Sequence, residues 1–367
     1  MIDSDDNHRV FNFSAGPSTL PLSVLKETRD EFVDYKGSGM SLIEMSHRGA
    51  HFMAVHEEAK ALAKRVFRCP DDFEVLFVQG GATLQFAMVP INFLKSGNRA
   101  GYVISGSWAK GAFSDAKPYG EVYSAFDGAN DNFTRMPLSE EIQIKPDTRY
   151  LHITSNETIG GIRFPKWPDV DVPLIADMSS EYMSRPVPFE RFDLIYGGVQ
   201  KNLGPAGLAV VFIRKSVIAG LNTDAARYLR YDIQYDKDSM FNTPPVFAIY
   251  LLGKMLKWME GEGGLDAMEQ AAEEKSSLLY DAIDQSDNYY NCPVDVSCRS
   301  RMNIVFRLPR EELETEFVKQ ATASDLLNLK GHRSVGGLRA SIYNAMPIEG
   351  VRALVEFMKN FRERHLE

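Results

Sequence analysis

A series of short apolar segments, separated by stretches of helical pattern, constrains the fold of this chain more than any other feature. Each segment has the length of one buried strand, and several end in glycine or in a polar side chain. Strands that alternate with helices predict an α/β fold with a mostly parallel mixed sheet flanked by helices, which binds ligands at the carboxyl ends of its strands. The predicted strands are residues 74–78, 101–105, 149–154, 171–176, 193–196 and 208–213.

The length of 367 residues predicts one large and one smaller domain. We expect residues 1–15 to form an N-terminal arm that packs with the small domain. Residues 16–260 are predicted to form the large domain, and residues 261–367 a smaller α+β C-terminal domain. The small domain is inferred from a strand at 302–307, a helix at 311–322, two short strands around a glycine turn within 329–342, and a closing helix at 351–364.

Composition limits the partners and the compartment. The formal net charge of −9, from 41 basic and 50 acidic residues, does not favour binding to nucleic acid or to an anionic membrane. The chain starts with polar and acidic residues rather than an apolar signal, and no apolar run is long enough to cross a bilayer. The three cysteines, Cys69, Cys292 and Cys298, show neither metal-ligand spacing nor disulfide spacing. We therefore expect reduced thiols, no metal site and a cytoplasmic location.

Lys201 lies in a loop rich in glycine between the last two predicted strands of the large domain. A lysine directly after a buried strand can be partly desolvated, which lowers its pKa and frees the amine to attack a carbonyl. Taken alone, the loop is equally consistent with a surface lysine that points into water.

Four other strand ends carry residues that suit a ligand. The glycine turn at residues 79–83 precedes an apolar helix whose N-terminus could bind a phosphate, although the spacing is neither a P-loop nor a dinucleotide fingerprint. Trp108 could offer a flat face to an aromatic ligand, or fill the core. Thr158 follows a polar strand end. Asp177 ends a buried strand, where it is either a helix cap or the partner of a cationic group.

Two His-Arg pairs could supply the local positive charge that the overall composition lacks. The first pair is His47 and Arg48, and the second is His332 and Arg333, with Arg339 close by in the sequence. Their donors suit a carboxylate or a phosphate, but each pair by itself is also consistent with solvated surface charge.

Together these motifs resemble the phosphoserine aminotransferases along essentially the whole chain. The matching segments, in the order and spacing of that family, are FSAGP (13–17), MSHR (45–48), QGGAT (79–83), NETIGG (156–161), ADMSS (176–180), QKN (200–202), GPAG (204–207), NTPP (242–245), GHR (331–333) and RASIYNAM (339–346). The resemblance implies the fold-type-I architecture of pyridoxal-phosphate-dependent transferases and a homodimer whose active sites lie at the subunit interface.

The resemblance also implies roles at a cofactor site. Lys201 would hold pyridoxal 5'-phosphate as a Schiff base, one per subunit, and would later move the proton of the substrate α-carbon. Asp177 would pair with the pyridine nitrogen and keep it protonated, so that the ring withdraws electrons. Trp108 would stack on the ring, and Thr158 would bind near its phenolic oxygen. The cofactor phosphate would be bound by Ala82, Thr83 and Gln200 and, from the other subunit, by Asn242 and Thr243.

On the substrate side, Arg339 would bind the α-carboxylate, and the two His-Arg pairs would bind the distal phosphate or carboxylate. The implied reaction is a reversible ping-pong transamination between L-glutamate and 3-phosphohydroxypyruvate, which yields O-phospho-L-serine and 2-oxoglutarate in serine biosynthesis. A second candidate substrate is 4-phosphohydroxy-L-threonine, which some relatives use in pyridoxine biosynthesis.

Two alternative functions would require other residues at positions that the sequence shows. A cysteine desulfurase would need a reactive thiol and usually a histidine over the ring, where this chain has Trp108. A non-catalytic scaffold of the same fold would be expected to lack Lys201 or Asp177. Glu181 is the one departure from the family pattern, and we interpret it as lying outside the contacts with the cofactor.

Overall fold

The computed structural model describes residues 9–365, so the polar start and residues 1–8 of the predicted arm lie outside the described residues. The strands are β1 (Phe11–Asn12), β2 (Phe73–Gln79), β3 (Arg99–Ile104), β4 (Glu121–Asp127), β5 (Thr148–Thr154), β6 (Asn156–Glu157), β7 (Ile162–Arg163), β8 (Leu174–Asp177), β9 (Phe192–Gly198), β10 (Leu208–Arg214), β11 (Asn303–Phe306), β12 (Leu326–Leu327) and β13 (Leu338–Ser341).

The α-helices are α1 (Leu22–Phe32), α2 (Ala50–Val66), α3 (Gly81–Phe93), α4 (Ser107–Ala116), α5 (Lys215–Ile218), α6 (Tyr231–Asp236), α7 (Val246–Gly261), α8 (Gly264–Asp284), α9 (Glu311–Ala323) and α10 (Ile348–Arg364). Short 3-10 helices lie at Tyr35–Gly37, Leu42–Glu44, Lys117–Tyr119, Gly128–Asp131, Ser139–Glu141, Phe189–Arg191, Arg227–Leu229 and Val296–Cys298. In the described part of the chain, no helix combines the length and the apolar character that crossing a membrane requires.

The large domain is built on a seven-stranded sheet in the order β2-β10-β9-β8-β5-β3-β4. Only β10 runs antiparallel to its neighbours, β2 and β9. The other neighbouring pairs are all parallel. The predicted mixed, mostly parallel sheet is therefore confirmed, and helices cover both of its faces.

Alternation along each strand explains why the strands are apolar throughout. Val75 and Phe77 of β2 face the core beneath α2 and α7, whereas Leu76 and Val78 face the core beneath α3 and α4. Because successive side chains of a strand point to opposite faces, a strand covered on both sides must be apolar at every position.

The C-terminal part has a core of its own around the antiparallel pair β11 and β13. Phe13 belongs to this core, and β1 pairs in parallel with β12. Helix α8 contributes to both cores, since Leu265 and Met268 pack with the large domain and Leu279 with the small one. The domain limits at residues 15 and 260 stay a prediction.

Three elements differ from the expectations. Trp108 lies in the first turn of α4 rather than at a strand end, because the chain bends into the helix directly at Gly106. The sheet has an edge strand, β4, which no continuous apolar run predicted. In the segment 329–342, only β13 forms a strand with regular partners, and Lys330 makes a single bridge to Leu338.

Candidate active site

Lys201 lies in the connection between the antiparallel strands β9 and β10, and its side chain is buried. Its Nζ donates a hydrogen bond to Thr158 Oγ1 and lies 5.5 Å from the centre of the Trp108 ring. The segment that follows the predicted arm contacts the backbone here, since Ser18 N donates to Gln200 O at 3.0 Å and Ser18 Oγ donates to Lys201 O. The interpretation as a surface lysine is therefore wrong.

The surroundings of Lys201 shift its pKa towards neutral pH. The pKa of Lys201 is lowered to about 8, chiefly by burial and also by the nearby Arg339 cation. The carboxylates of Asp177 and Glu157 act in the opposite direction and raise this pKa. An amine with a pKa of about 8 is unprotonated in a larger fraction of molecules than an ordinary lysine, and the unprotonated form has the lone pair that attack on an aldehyde requires.

Asp177 ends β8 on the same edge of the sheet and is only 5% exposed. Its Oδ1 accepts hydrogen bonds from the backbone N of Ser179 at 2.9 Å and from the hydroxyl of Ser179 at 2.6 Å. Burial raises the pKa of Asp177, while the bonds from Ser179 and the charge of Lys201 lower it. A cationic ring nitrogen beside this carboxylate would offset its burial.

The N-terminus of α3 forms an anion site next to Lys201. Gly80, with φ of 92°, makes the turn into the helix, and a Cβ at this position would lie 2.7 Å from Leu84. No side chain caps the helix, so the backbone N–H groups of Ala82 and Thr83 in its first turn are available to a ligand. Gln200 lies beside this helix start, and its Oε1, which can only accept a hydrogen bond, is buried without a partner among the described residues.

These groups line one cavity, which we call the lysine cavity. Of the residues predicted from the sequence, it is lined by Ala82, Thr83, Trp108, Thr158, Asp177, Gln200 and Lys201. The cavity combines an amine, an aromatic face, a buried carboxylate and a helix N-terminus. This donor set fits a planar aromatic ring that carries an aldehyde, a ring nitrogen and a phosphate.

A second cavity of about 240 Å³, the cleft cavity, lies between the large and small domains. His332 and Arg339 line it from the small domain, and Ser107 and Ile159 from the large domain. Arg339 Nη1 donates to Thr158 O at 3.4 Å, which joins the two cavities. Burial lowers the pKa of Arg339, and burial together with the arginines 333 and 339 lowers the pKa of His332.

Five predicted site residues line neither of these two cavities. Arg48 and Arg333 are exposed, and His47 is half-buried after the 3-10 helix at Leu42–Glu44. Asn242 and Thr243 are also exposed, and the Gln79 amide donates to Thr243 O at 2.9 Å and to Asn242 Oδ1 at 3.4 Å. One copy of the chain therefore does not bring these five residues to Lys201.

The sequence analysis did not single out three polar residues that the structure places at the site. Ser179 binds Asp177, Glu157 binds the backbone at Trp108, and Asn156 donates to Ser180 Oγ at 2.7 Å. All three lie in segments that were singled out because polar residues follow a strand. The sequence alone does not show which of their side chains point into the site.

Comparison with known proteins places this geometry in a family. The family model described as aminotransferase class V matches residues 10–354. The phosphoserine aminotransferase of Laribacter hongkongensis is 51% identical over 97% of this chain and 99% of its own length. The chloroplastic phosphoserine aminotransferase 1 of Arabidopsis thaliana is 45% identical over 97% of this chain and 83% of its own length.

Solved structures agree with these relatives. The phosphoserine aminotransferase from Bacillus circulans subsp. alkalophilus matches with a TM-score of 0.95 and 51% identity, and the match covers 97% of this chain and 99% of that one. The pyridoxal-phosphate-bound phosphoserine aminotransferase from Trichomonas vaginalis matches with a TM-score of 0.91 and 40% identity. This match covers 96% of this chain and 100% of that one.

Proposed function

Because the chain belongs to the phosphoserine aminotransferases of the class V aminotransferase family, we propose that it transfers an amino group between glutamate and 3-phosphohydroxypyruvate. The products are O-phospho-L-serine and 2-oxoglutarate, and the reaction belongs to serine biosynthesis. The chain is a fold-type-I, pyridoxal-phosphate-dependent aminotransferase. The observation that carries the proposal is the buried Lys201 amine, which lies over the Trp108 ring on the same sheet edge as Asp177.

When bound, pyridoxal phosphate supplies an aldehyde that takes up amino groups and a ring that withdraws electrons from the neighbouring carbon. Lys201 Nζ would hold the aldehyde and, when released, would move the proton of the substrate α-carbon as a neutral amine. Asp177 would keep the ring nitrogen protonated, and Ser179 would hold the Asp177 carboxylate in place. Trp108 would cover one face of the ring.

The remaining cofactor contacts follow from the donors of the lysine cavity. Thr158 would bind the phenolic oxygen, because its hydroxyl already bonds Lys201 Nζ. The N–H groups of Ala82 and Thr83 would bind the phosphate at the start of α3, where the helix dipole favours an anion. Gln200, which lines the same cavity, would donate to this phosphate through its amide NH2 group.

The substrate would lie in the cleft cavity beside Lys201. Arg339 would bind the α-carboxylate there, and His332 would bind the distal anion. Arg333 lines neither cavity in one copy of the chain, so its proposed role at the distal anion requires a movement of its side chain or the second copy. One set of cationic donors serves both half-reactions, because guanidinium groups bind a carboxylate and a phosphate equally well.

A second copy of the chain would complete the site. We propose that the partner subunit supplies His47, Arg48, Asn242 and Thr243, since these residues are partly or fully exposed on a single chain. Exposed apolar side chains just before His47 support an interface here, notably Val33 at 76% exposure and Ile43 at 58%.

The cysteines do not support a desulfurase. The reactive form of a cysteine is the thiolate, and burial raises the pKa of Cys69 to about 12 and also raises that of Cys292. Cys298 is buried, and none of the three lines the cavities that contain Lys201 and Arg339. Free thiols also support the proposed cytoplasmic location.

The reverse reaction tests the proposal directly. Purified protein loaded with pyridoxal phosphate should convert O-phosphoserine and 2-oxoglutarate to glutamate, measured by a coupled glutamate assay. Lys201→Ala should abolish turnover and the covalent cofactor label fixed by borohydride, because no other amine reaches the lysine cavity among the described residues. Lys257→Ala, which replaces an exposed lysine of α7, serves as the control and should keep both turnover and the label. Wild-type protein that binds the cofactor but leaves O-phosphoserine intact would disprove the proposed reaction, and 4-phosphohydroxy-L-threonine in the same assay tests the second substrate.

A further inference from the structure

Glu157 is a fully buried carboxylate beside the lysine cavity to which the proposed chemistry assigns no role. It lies in the short strand β6, directly before Thr158, and its side chain is 0% exposed. Glu157 Oε1 accepts the backbone N–H of Ala109 at 2.8 Å, and Oε2 accepts the backbone N–H of Trp108 at 3.2 Å. These two N–H groups belong to the first turn of α4, whose N-cap Gly106 has no capping side chain.

A buried charge in this position is costly. The pKa of Glu157 is raised to about 7, chiefly by burial and also by the charge of Asp177, while the two backbone N–H groups and Lys201 lower it. A helix cap is usually a serine, threonine, asparagine or aspartate adjacent to the helix. Here the capping carboxylate belongs to a residue 48 and 49 positions beyond the two residues whose N–H groups it accepts, so it links β6 to the start of α4.

Gly106 provides the space for this carboxylate. A Cβ at position 106 would lie 2.5 Å from Glu157 Cδ and 2.7 Å from Oε2, too close for any side chain larger than hydrogen unless the carboxylate moves. The φ of Gly106 is 174°, which any residue can adopt, so the requirement for glycine comes from space and not from backbone conformation.

We propose that Glu157 is a positioning residue that holds the Trp108 ring over the Lys201 amine by binding the first turn of α4. The same short strand thus sets both sides of the lysine cavity, because Glu157 fixes Trp108 and the adjacent Thr158 bonds Lys201 Nζ. The inference rests on the proposed function only in that the ring held in place is the one that would stack on the cofactor.

The test uses Glu157→Gln in the full-length apoprotein, with Glu74→Gln as the matched control. Glu74 is also largely buried and accepts a backbone N–H, from Val75 at 2.9 Å, but it lies at the opposite end of β2 from the site. In Glu157→Gln, one amide oxygen can still accept the Ala109 N–H, while the amide nitrogen has no lone pair to offer to the Trp108 N–H.

The first readout is the 19F resonance of each tryptophan in protein labelled with 5-fluorotryptophan, with Trp108 assigned by Trp108→Phe. We expect Glu157→Gln to shift or broaden the Trp108 resonance and to leave those of Trp167 and Trp258 in place. The second readout is the dissociation constant of pyridoxal phosphate, which should rise roughly tenfold, as expected for the loss of one charged hydrogen bond.

Two results would overturn the inference. In the first, the Trp108 resonance and the cofactor affinity of Glu157→Gln match those of Glu74→Gln. In the second, all three tryptophan resonances move together, which would make Glu157 a residue of the general fold. If Glu157→Gln does not fold, Gly106→Ala tests the inference in its place. This variant keeps the Glu157 carboxylate but displaces it, so it should shift the 19F resonance of Trp108 alone. The 19F readout needs no cofactor, so failure of the proposed reaction in the wild type remains distinguishable.

Discussion

Glu181 and Arg185 are two buried charges next to the lysine cavity that bind each other. Arg185 Nη2 lies 2.9 Å from Glu181 Oε1, and the two side chains are 8% and 2% exposed, respectively. The Arg185 guanidinium also stacks 4.2 Å from the centre of the Trp167 ring. Since Glu181 is not among the lining residues of the lysine cavity, its acidic character serves this ion pair, as expected for a residue outside the cofactor contacts.

Removing one member of this pair should destabilise the fold and spare the chemistry. Glu181→Leu leaves Arg185 buried without its partner, and we expect a loss of about 3–5 kcal/mol in the free energy of unfolding. The double variant Glu181→Leu/Arg185→Leu should recover most of that loss, because no unpaired charge remains. Urea unfolding measures the free energy of unfolding of the single and the double variant. A Glu181→Leu protein of unchanged stability that no longer binds pyridoxal phosphate would instead place Glu181 in the site.

At the scale of elements, the turn between β13 and α10 joins three parts of the molecule. The N–H of Asn344 donates to Asn202 Oδ1 at 2.9 Å, next to Lys201, and the Tyr343 hydroxyl donates to Ala15 O in the arm at 2.8 Å. From α8, the buried Lys275 donates to carbonyls of the same turn, those of Tyr343 at 2.8 Å, Asn344 at 3.3 Å and Met346 at 3.0 Å.

Lys275→Met should loosen this turn. The substitution keeps an apolar side chain of similar length but leaves buried carbonyl groups without a donor, so we expect a loss of about 2–4 kcal/mol in the free energy of unfolding. Lys257→Met, at an exposed position of α7, should change it by less than about 0.5 kcal/mol. Equal urea midpoints for the two variants would show that water replaces the Lys275 ammonium without cost.

The strands that the sequence predicted correctly are those with apolar residues on both faces. The apolar run predicted at 208–213 corresponds to strand β10 (Leu208–Arg214). This strand is buried between two helical layers, so its residues are apolar on both faces, and such a run is visible in the local sequence. The edge strand Glu121–Asp127 pairs on one side only and alternates exposed and buried residues, so no apolar run marks it. The direction of β10 depends on its pairing with β2 and β9, which no local pattern encodes.

The candidate site was predictable where chemically distinctive residues follow buried strands. Lys201 and Asp177 were candidates on this ground, but each also had a purely structural interpretation, and the family resemblance assigned their roles. Glu157 was not, because its partners are backbone N–H groups 48 and 49 residues away in the chain. The roles proposed for Asn242 and Thr243 would depend on a second chain, and a single sequence contains no distances between subunits.

At the scale of the whole molecule, the proposed homodimer predicts complementation between two inactive variants. Lys201→Ala and Arg48→Ala should each be inactive or severely impaired alone. In a mixed dimer, one site would combine Lys201 of one subunit with Arg48 of the other, both intact. The purified mixed dimer should have about half of the wild-type specific activity, because one of its two sites is complete.

The measurement is transaminase activity after co-expression with two different affinity tags and purification of the doubly tagged dimer. A mixed dimer as inactive as its parents would assign Lys201 and Arg48 of each site to the same subunit. Size-exclusion chromatography of the wild type provides the control, and a monomeric elution volume would contradict the dimer itself.

The reversed direction of β10 has a consequence for how proteins of this architecture diversify. Parallel strands are joined by long crossovers that tolerate insertions, so the connections after β3, β5 and β8 can lengthen or change sequence without moving the sheet. Lys201 instead lies in the direct link between adjacent antiparallel strands, where an added residue would displace its amine and disturb the pairing with both neighbours. We therefore expect natural and engineered variants to differ in the length of these crossovers, away from the site residues that they carry, and to keep the loop of Lys201 constant in length.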